Sequence, residues 1–123
     1  MIDRPWAERF ALEWAASWQS KDLDVLLSHY SPSVVFRSPR ISAVLGTCQT
    51  SVSGLSELRN YWRKALDAAK EIRFEIASVG VGSDALTIVY RNHRDDHVSE
   101  TLVFGEDGKV IEGIVTYLMP PEK

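Results

Sequence analysis

The sequence has one cysteine, Cys48, so no internal disulfide can form, and with no oxidising-compartment signature a cytoplasmic setting is the default expectation. It has no apolar run near the roughly 20 residues that a membrane-crossing helix needs. The opening Met-Ile-Asp-Arg-Pro-Trp lacks the pattern of a secretory signal. Basic residues are not in excess: 14 Lys and Arg against 17 Asp and Glu leave no electrostatic footprint for nucleic acid and no polybasic membrane anchor. Zinc-ligand spacing, a glycine-rich phosphate loop and a Gly-x-Ser-x-Gly nucleophile elbow are all missing. His93, Asp95, Asp96 and His97 cluster in sequence and read as a solvated loop; His29 reads as an exposed helix residue.

What is present is an ordinary share of apolar residues, 45%, with twelve aromatic side chains in 123 residues. That suits one soluble domain spanning residues 1–123 whose aromatic side chains fill a core and line a pocket. The N-terminal part has helical periodicity. Phe10, Trp14 and Trp18 recur at four-residue spacing in a helix from about Pro5 to Gln19, with Asp3 as its cap. Asp22 caps a second helix from Leu23 to Tyr30, which Ser31-Pro32 stops. A short strand, Val34 to Ser38, ends at Pro39. Arg40 to Ser53 has no clear period and reads as a mobile loop, an edge strand or both, with a lid over a pocket as its functional reading. A third helix, Leu55 to Ala69, sets Leu55, Leu58, Trp62, Ala65, Leu66 and Ala69 on one face.

Four strands follow: Ile72 to Val81, Ala85 to His93, His97 to Phe104 and Val110 to Leu118, with a stop at Pro120-Pro121. Helices first and antiparallel strands after make an α+β pattern. On the strand His97 to Phe104, alternation places Glu100 on the same face as Val98, Leu102 and Phe104. A carboxylate among apolar neighbours is paired, protonated or functional, because burying it charged and alone costs several kcal/mol or more.

A two-residue turn at Asp107-Gly108 pairs Phe104 with Ile111, Leu102 with Gly113, Glu100 with Val115 and Val98 with Tyr117. Gly113 then leaves space beside the acid. A three-residue turn at Arg94 to Asp96 pairs Tyr90 with Glu100 and Asn92 with Val98; a two-residue turn sets Arg91 opposite Glu100 instead, making a structural ion pair.

Four stretches together resemble the nuclear transport factor 2-like (SnoaL-like) superfamily. They are Lys21-Asp22-Leu23-Asp24, Tyr30-Ser31-Pro32-Ser33-Val34-Val35-Phe36, Gly54 to Trp62, and Val98 to Phe104 followed by Asp107-Gly108-Lys109-Val110. The resemblance implies a cone-shaped α+β fold with three N-terminal helices on a curved, mostly antiparallel sheet. It also implies a pocket between them and a homodimer through the outer sheet face. It does not fix function. The positions of the isomerase branch's base, tyrosine and second acid carry Ser38, Trp14 and Glu100, so one acid of the set is present. Near the epoxide hydrolase branch's Arg and two Asp stand Arg91, His93 and Thr116.

Two function classes therefore stand. One is a cofactor-free lyase, isomerase or cyclase on a small apolar carbonyl compound. Here Glu100 is the acid/base and Tyr90 and Asn92 assist it, while Trp14, Trp18, Tyr30, Phe36, Ser38, Trp62 and Tyr117 line the ligand site. The other is a module that binds a small apolar molecule, or a second copy, without turnover. Neither calls for a cofactor or a metal.

Overall fold

The computed structural model describes residues 1–119; the stop at Pro120-Pro121 lies outside them. Helix α1 (Arg4–Gln19) starts where expected, with the Asp3 carboxylate accepting the Trp6 N–H at 3.0 Å. Its buried stripe is Ala7, Phe10, Ala11, Trp14, Ala15 and Trp18. Lys21 turns the chain in a left-handed conformation (φ 58°). Asp22 caps the short α2 (Leu23–Leu27) through the Val25 N–H.

The second helix is shorter than its sequence suggests, and Tyr30 opens strand β1 (Tyr30–Arg37). The reason is pairing: the Val110 N–H bonds to the His29 carbonyl and Tyr30 registers with Val110. The sheet captures this segment before Pro32 has to stop a helix.

The unperiodic segment Arg40 to Ser53 forms a fourth, short helix α3 (Arg40–Leu45), a left-handed Gly46 cap and edge strand β2 (Ser51–Ser53). A helix here was not foreseen, because six residues show too little of a 3.6-residue period. Helix α4 (Gly54–Ala68) then buries Leu58, Tyr61, Trp62 and Leu66. The Glu57 carboxylate reaches back to accept the Ser53 N–H at 3.1 Å and so satisfies a backbone donor at the helix start. The Lys21 ammonium donates to the Leu66 and Ala69 carbonyls and closes the far end.

Strands β3 (Glu75–Val81), β4 (Ala85–Arg91), β5 (His97–Phe104) and β6 (Val110–Tyr117) complete one six-stranded sheet in the order β2-β1-β6-β5-β4-β3. Only β1 and β6 run parallel. The α+β fold with helices on a curved, mostly antiparallel sheet therefore stands, with four helices rather than three.

Between β5 and β6 the expected pairs Val98–Tyr117, Glu100–Val115 and Leu102–Gly113 are present. At the turn the register slips. Gly105 to Lys109 form a longer loop, with the Gly105 N–H on the Lys109 carbonyl, and Phe104 pairs with Val110. Between β4 and β5 the expected pairing is two residues out: Glu100 faces Ile88, and Tyr90 faces Val98. The connection is a five-residue loop, Asn92 to Asp96, turned by Asp95 at φ 63°. A shift of two keeps every side chain on its face, so Tyr90 still stands on the inner face with Glu100, while Arg91 points outward to Glu75 at 2.6 Å.

Candidate functional site

The helices and the inner sheet face enclose a cavity of about 380 Å³. Its apolar wall is built by Trp18 from α1, Trp62 and Leu66 from α4, Phe36 from β1, Val115 from β6, and Ile72 and Phe74 just before β3. The aromatic rings brace each other edge to face: Trp18 and Trp62 at 5.0 Å, and Phe36 and Trp62 at 5.4 Å. Such pairs hold the wall rigid beyond what area burial alone supplies.

Glu100 lies in this wall, 3% exposed. The Tyr90 hydroxyl donates to its Oε1 at 3.1 Å, and its Oε2 has no partner among the described residues. Burial raises the carboxyl pKa to about 8, and the Tyr90 hydrogen bond opposes that rise. At neutral pH the group is therefore mostly a neutral carboxylic acid, with a proton to donate. Tyr90 itself is raised well above the ordinary phenol value by burial first and by Glu100 second. Tyr61 is pushed up to about 12 by burial, with Ser38 pulling the other way. All of these phenols stay protonated at neutral pH.

Most of the residues expected at the site meet here: Glu100, Tyr90, Asn92, Trp18, Phe36, Ser38, Trp62 and Tyr117 line one cavity. Two do not. Trp14 and Tyr30 stand behind the wall, where the Trp14 indole N–H donates to the Tyr30 hydroxyl at 3.2 Å in a fully packed layer. Trp14 backs Tyr90 at 5.3 Å and Tyr30 backs Trp62 at 5.0 Å. The space expected beside Gly113 is also absent, because the Phe36 ring fills it: a Cβ on Gly113 would lie 2.6 Å from Phe36 Cδ1. Asn92 is largely committed to its own loop, its Oδ1 accepting the Arg94 and Asp96 N–H groups. The Ser38 hydroxyl accepts the Arg40 N–H at 3.2 Å.

Sequence reasoning missed Tyr61, Phe74, His93, Arg40 and Arg94 as lining residues. Tyr61 was findable, since it follows Leu58 by three on the buried face of α4. His93 was expected in solvent, but it is half-buried and stacks on Phe74, with centroids 6.5 Å apart. Burial, Arg94 and Arg73 lower its pKa. His29 likewise is half-buried, beside Phe10 at 5.0 Å. Among the described residues no group of three or more His, Cys, Asp and Glu side chains is placed to hold a metal ion. No helix there is long and apolar enough to cross a membrane.

A SnoaL-like domain family model matches residues 11–117. The chain belongs to the SnoaL-like domain family. A SnoaL-like protein of unknown function from Burkholderia thailandensis is 30% identical, with 97% of this chain and 100% of that one covered and a TM-score of 0.88. AclR, a candidate hydroxylase from Streptomyces galilaeus, is 21% identical over 97% of this chain and 93% of its own, with a TM-score of 0.72. The epoxide hydrolase/cyclase-like enzyme SalBIII, with a role in pyran ring formation in polyether salinomycin, is 14% identical over 97% and 95%, with a TM-score of 0.72. The last two likenesses are of fold. No curated protein matches the chain.

Proposed function

We propose that this SnoaL-like domain takes a small apolar carbonyl compound into the cavity. It acts there as a cofactor-free lyase, isomerase or cyclase, with Glu100 as its acid/base. The observation that carries this reading is the Glu100 carboxyl, buried in an aromatic wall and anchored at one oxygen by Tyr90, with its other oxygen unpartnered among the described residues. A neutral acid in such a setting can donate its proton to a developing enolate or alkoxide oxygen. Its conjugate base, at a pKa of about 8, is basic enough to take a proton from carbon next to a carbonyl. The fold neighbours include an enzyme with a role in ring formation, which makes cyclisation one candidate among these reactions.

A second reading has its own support: binding without turnover. Ser38 stands where the isomerase branch has its base, and Glu100 is the sole carboxylate lining the cavity among the described residues. A reaction that needs two carboxylates has only one of them in this lining. A homodimer through the outer sheet face belongs to both readings; Val89, Val103 and Ile114 stand on that face, the last 36% exposed.

The test is a thermal-melt panel of steroids, phenolic polyketide-like compounds, terpenoids and acyl chains, followed by turnover assays on whatever binds. A ligand at about 100 times its Kd adds roughly 2.7 kcal/mol of stability. Turnover lost in Glu100→Gln with binding retained supports the catalytic reading. Binding with no turnover in either protein supports the binding module.

A further inference from the structure

The charges around the cavity are one-sided. The chain as a whole carries more acidic than basic residues, yet the charged side chains lining the cavity are Arg40, Lys70 and Arg94 against Glu100 alone. Glu100 is deep and mostly uncharged at neutral pH, so the cations face no internal counter-charge. Arg94 is partly occupied, by Asp96 at 3.4 Å and the Tyr117 hydroxyl at 3.3 Å. Arg40 differs. Among the described residues it and Arg59 are the half-buried arginines. Arg59 pairs with Asp24 at 2.7 Å, while no carboxylate among the described residues lies within ion-pairing distance of Arg40. Helix α3 sets Arg40 and, one turn later, Val44 against the cavity. Partial burial of an unpaired guanidinium costs free energy that a bound carboxylate, in a forked pair of hydrogen bonds, would return.

The inner end is incomplete in a different way. Four buried side-chain polar atoms among the described residues have no partner, and three belong to cavity residues: Trp18 Nε1, His93 Nδ1 and Glu100 Oε2. Buried polar groups are normally hydrogen-bonded. Trp18 Nε1 can only donate, and the Glu100 acid donates while it holds its proton. Both look for an oxygen.

We propose that the cavity binds an amphipathic organic acid. Its carboxylate sits at the mouth against Arg40 with Arg94 beside it, its apolar body lies between Trp18, Phe36 and Trp62, and an oxygen function at its inner end accepts from Trp18 and Glu100. This rests on the reading of the cavity as a ligand site and narrows it from apolar carbonyl compounds in general to those that also carry an acidic group.

The experiment is titration calorimetry with 6-hydroxy-2-naphthoic acid and its methyl ester, two probes of the same apolar body that differ in charge. The acid is expected to bind at least about tenfold more tightly than the ester, and raising salt from roughly 0.05 to 0.5 M shrinks that preference by screening. Arg40→Gln removes the preference for the acid over the ester. Ala65→Phe, which adds a ring to the cavity wall, abolishes binding of both. Equal binding of acid and ester, blocked by Ala65→Phe, overturns the organic-acid assignment while the ligand site itself stands. A preference that survives both Arg40→Gln and Arg94→Gln overturns it as well. Binding of neither probe at about 1 mM, far weaker than a formed pocket gives, overturns the assignment and the ligand-site reading together.

Discussion

Trp14 and Trp18 stand one turn apart on the same face of α1, and they belong to two different regions of the core. Trp14 is in the packed region: fully buried, its indole N–H on the Tyr30 hydroxyl, its ring against Tyr90 and Phe74. Trp18 is in the open region: it is also buried, but its N–H has no partner among the described residues and its ring lines the cavity with Glu100. The same residue type on the same stripe satisfies its polar group in one place and leaves it free 4 residues on. The first region holds the fold together, and the second keeps polar atoms available at the cost of some stability.

Breaking the packed region should have the largest effect. Trp14→Ala removes a fully buried indole and strands the Tyr30 hydroxyl, with an expected loss of about 3–5 kcal/mol in urea unfolding. A loss under about 1 kcal/mol would show that the two regions are not energetically distinct.

Next comes the acid. Its folded pKa, about 8, lies above the unfolded value of about 4.3. The native state therefore binds more protons than the unfolded state between those values. Glu100's contribution is fully present below the unfolded pKa and is lost as pH rises towards 8. Native protein is expected to lose roughly 3 kcal/mol more than Glu100→Gln between about pH 5 and pH 8. Burial lowers the pKa of His29 and His93, so they act in the opposite sense, and the difference between the two proteins cancels them. Parallel stability curves for the two proteins would mean that Glu100 ionises freely and that the open region is wet.

Gly113→Ala probes the wall between the regions. The new methyl meets the Phe36 ring, and an expected cost of about 1–3 kcal/mol should come with altered ligand affinity, since Phe36 lines the cavity. Trp18→Phe should have the smallest effect on stability, about 1 kcal/mol, because it keeps an aromatic ring against Trp62 and removes an N–H that has no partner among the described residues. The same substitution should weaken binding of any oxygen-bearing ligand. A Trp18 variant that unfolds as readily as a Trp14 variant would put both residues in one packed layer.

Much of this architecture was legible in the chain. The α1 stripe, the Asp3 and Asp22 caps and the alternation on β5 each follow from a local period or a local hydrogen bond. So does the presence of Glu100 on the buried face, which depends only on counting by two. The four motifs that resemble the SnoaL-like superfamily set the order of the helices and strands outside Arg40 to Ser53, where α3 was not foreseen. Less legible were Arg40 and His93, because neither belongs to a periodic segment: one opens a helix of six residues and the other sits in a five-residue loop.

The sequence by itself determined which residues face inward, since side-chain direction is set by the helical and strand periods within each element. It also determined that one of those inward residues is an acid. Only the tertiary structure decided how far the strands slide past one another, and hence that Tyr90 reaches Glu100 diagonally while Phe36 takes the room beside Gly113. It alone decided where packing stops along α1. Register and voids depend on contacts between elements far apart in the chain, and no local period encodes whether a Trp finds a tyrosine hydroxyl or an empty space.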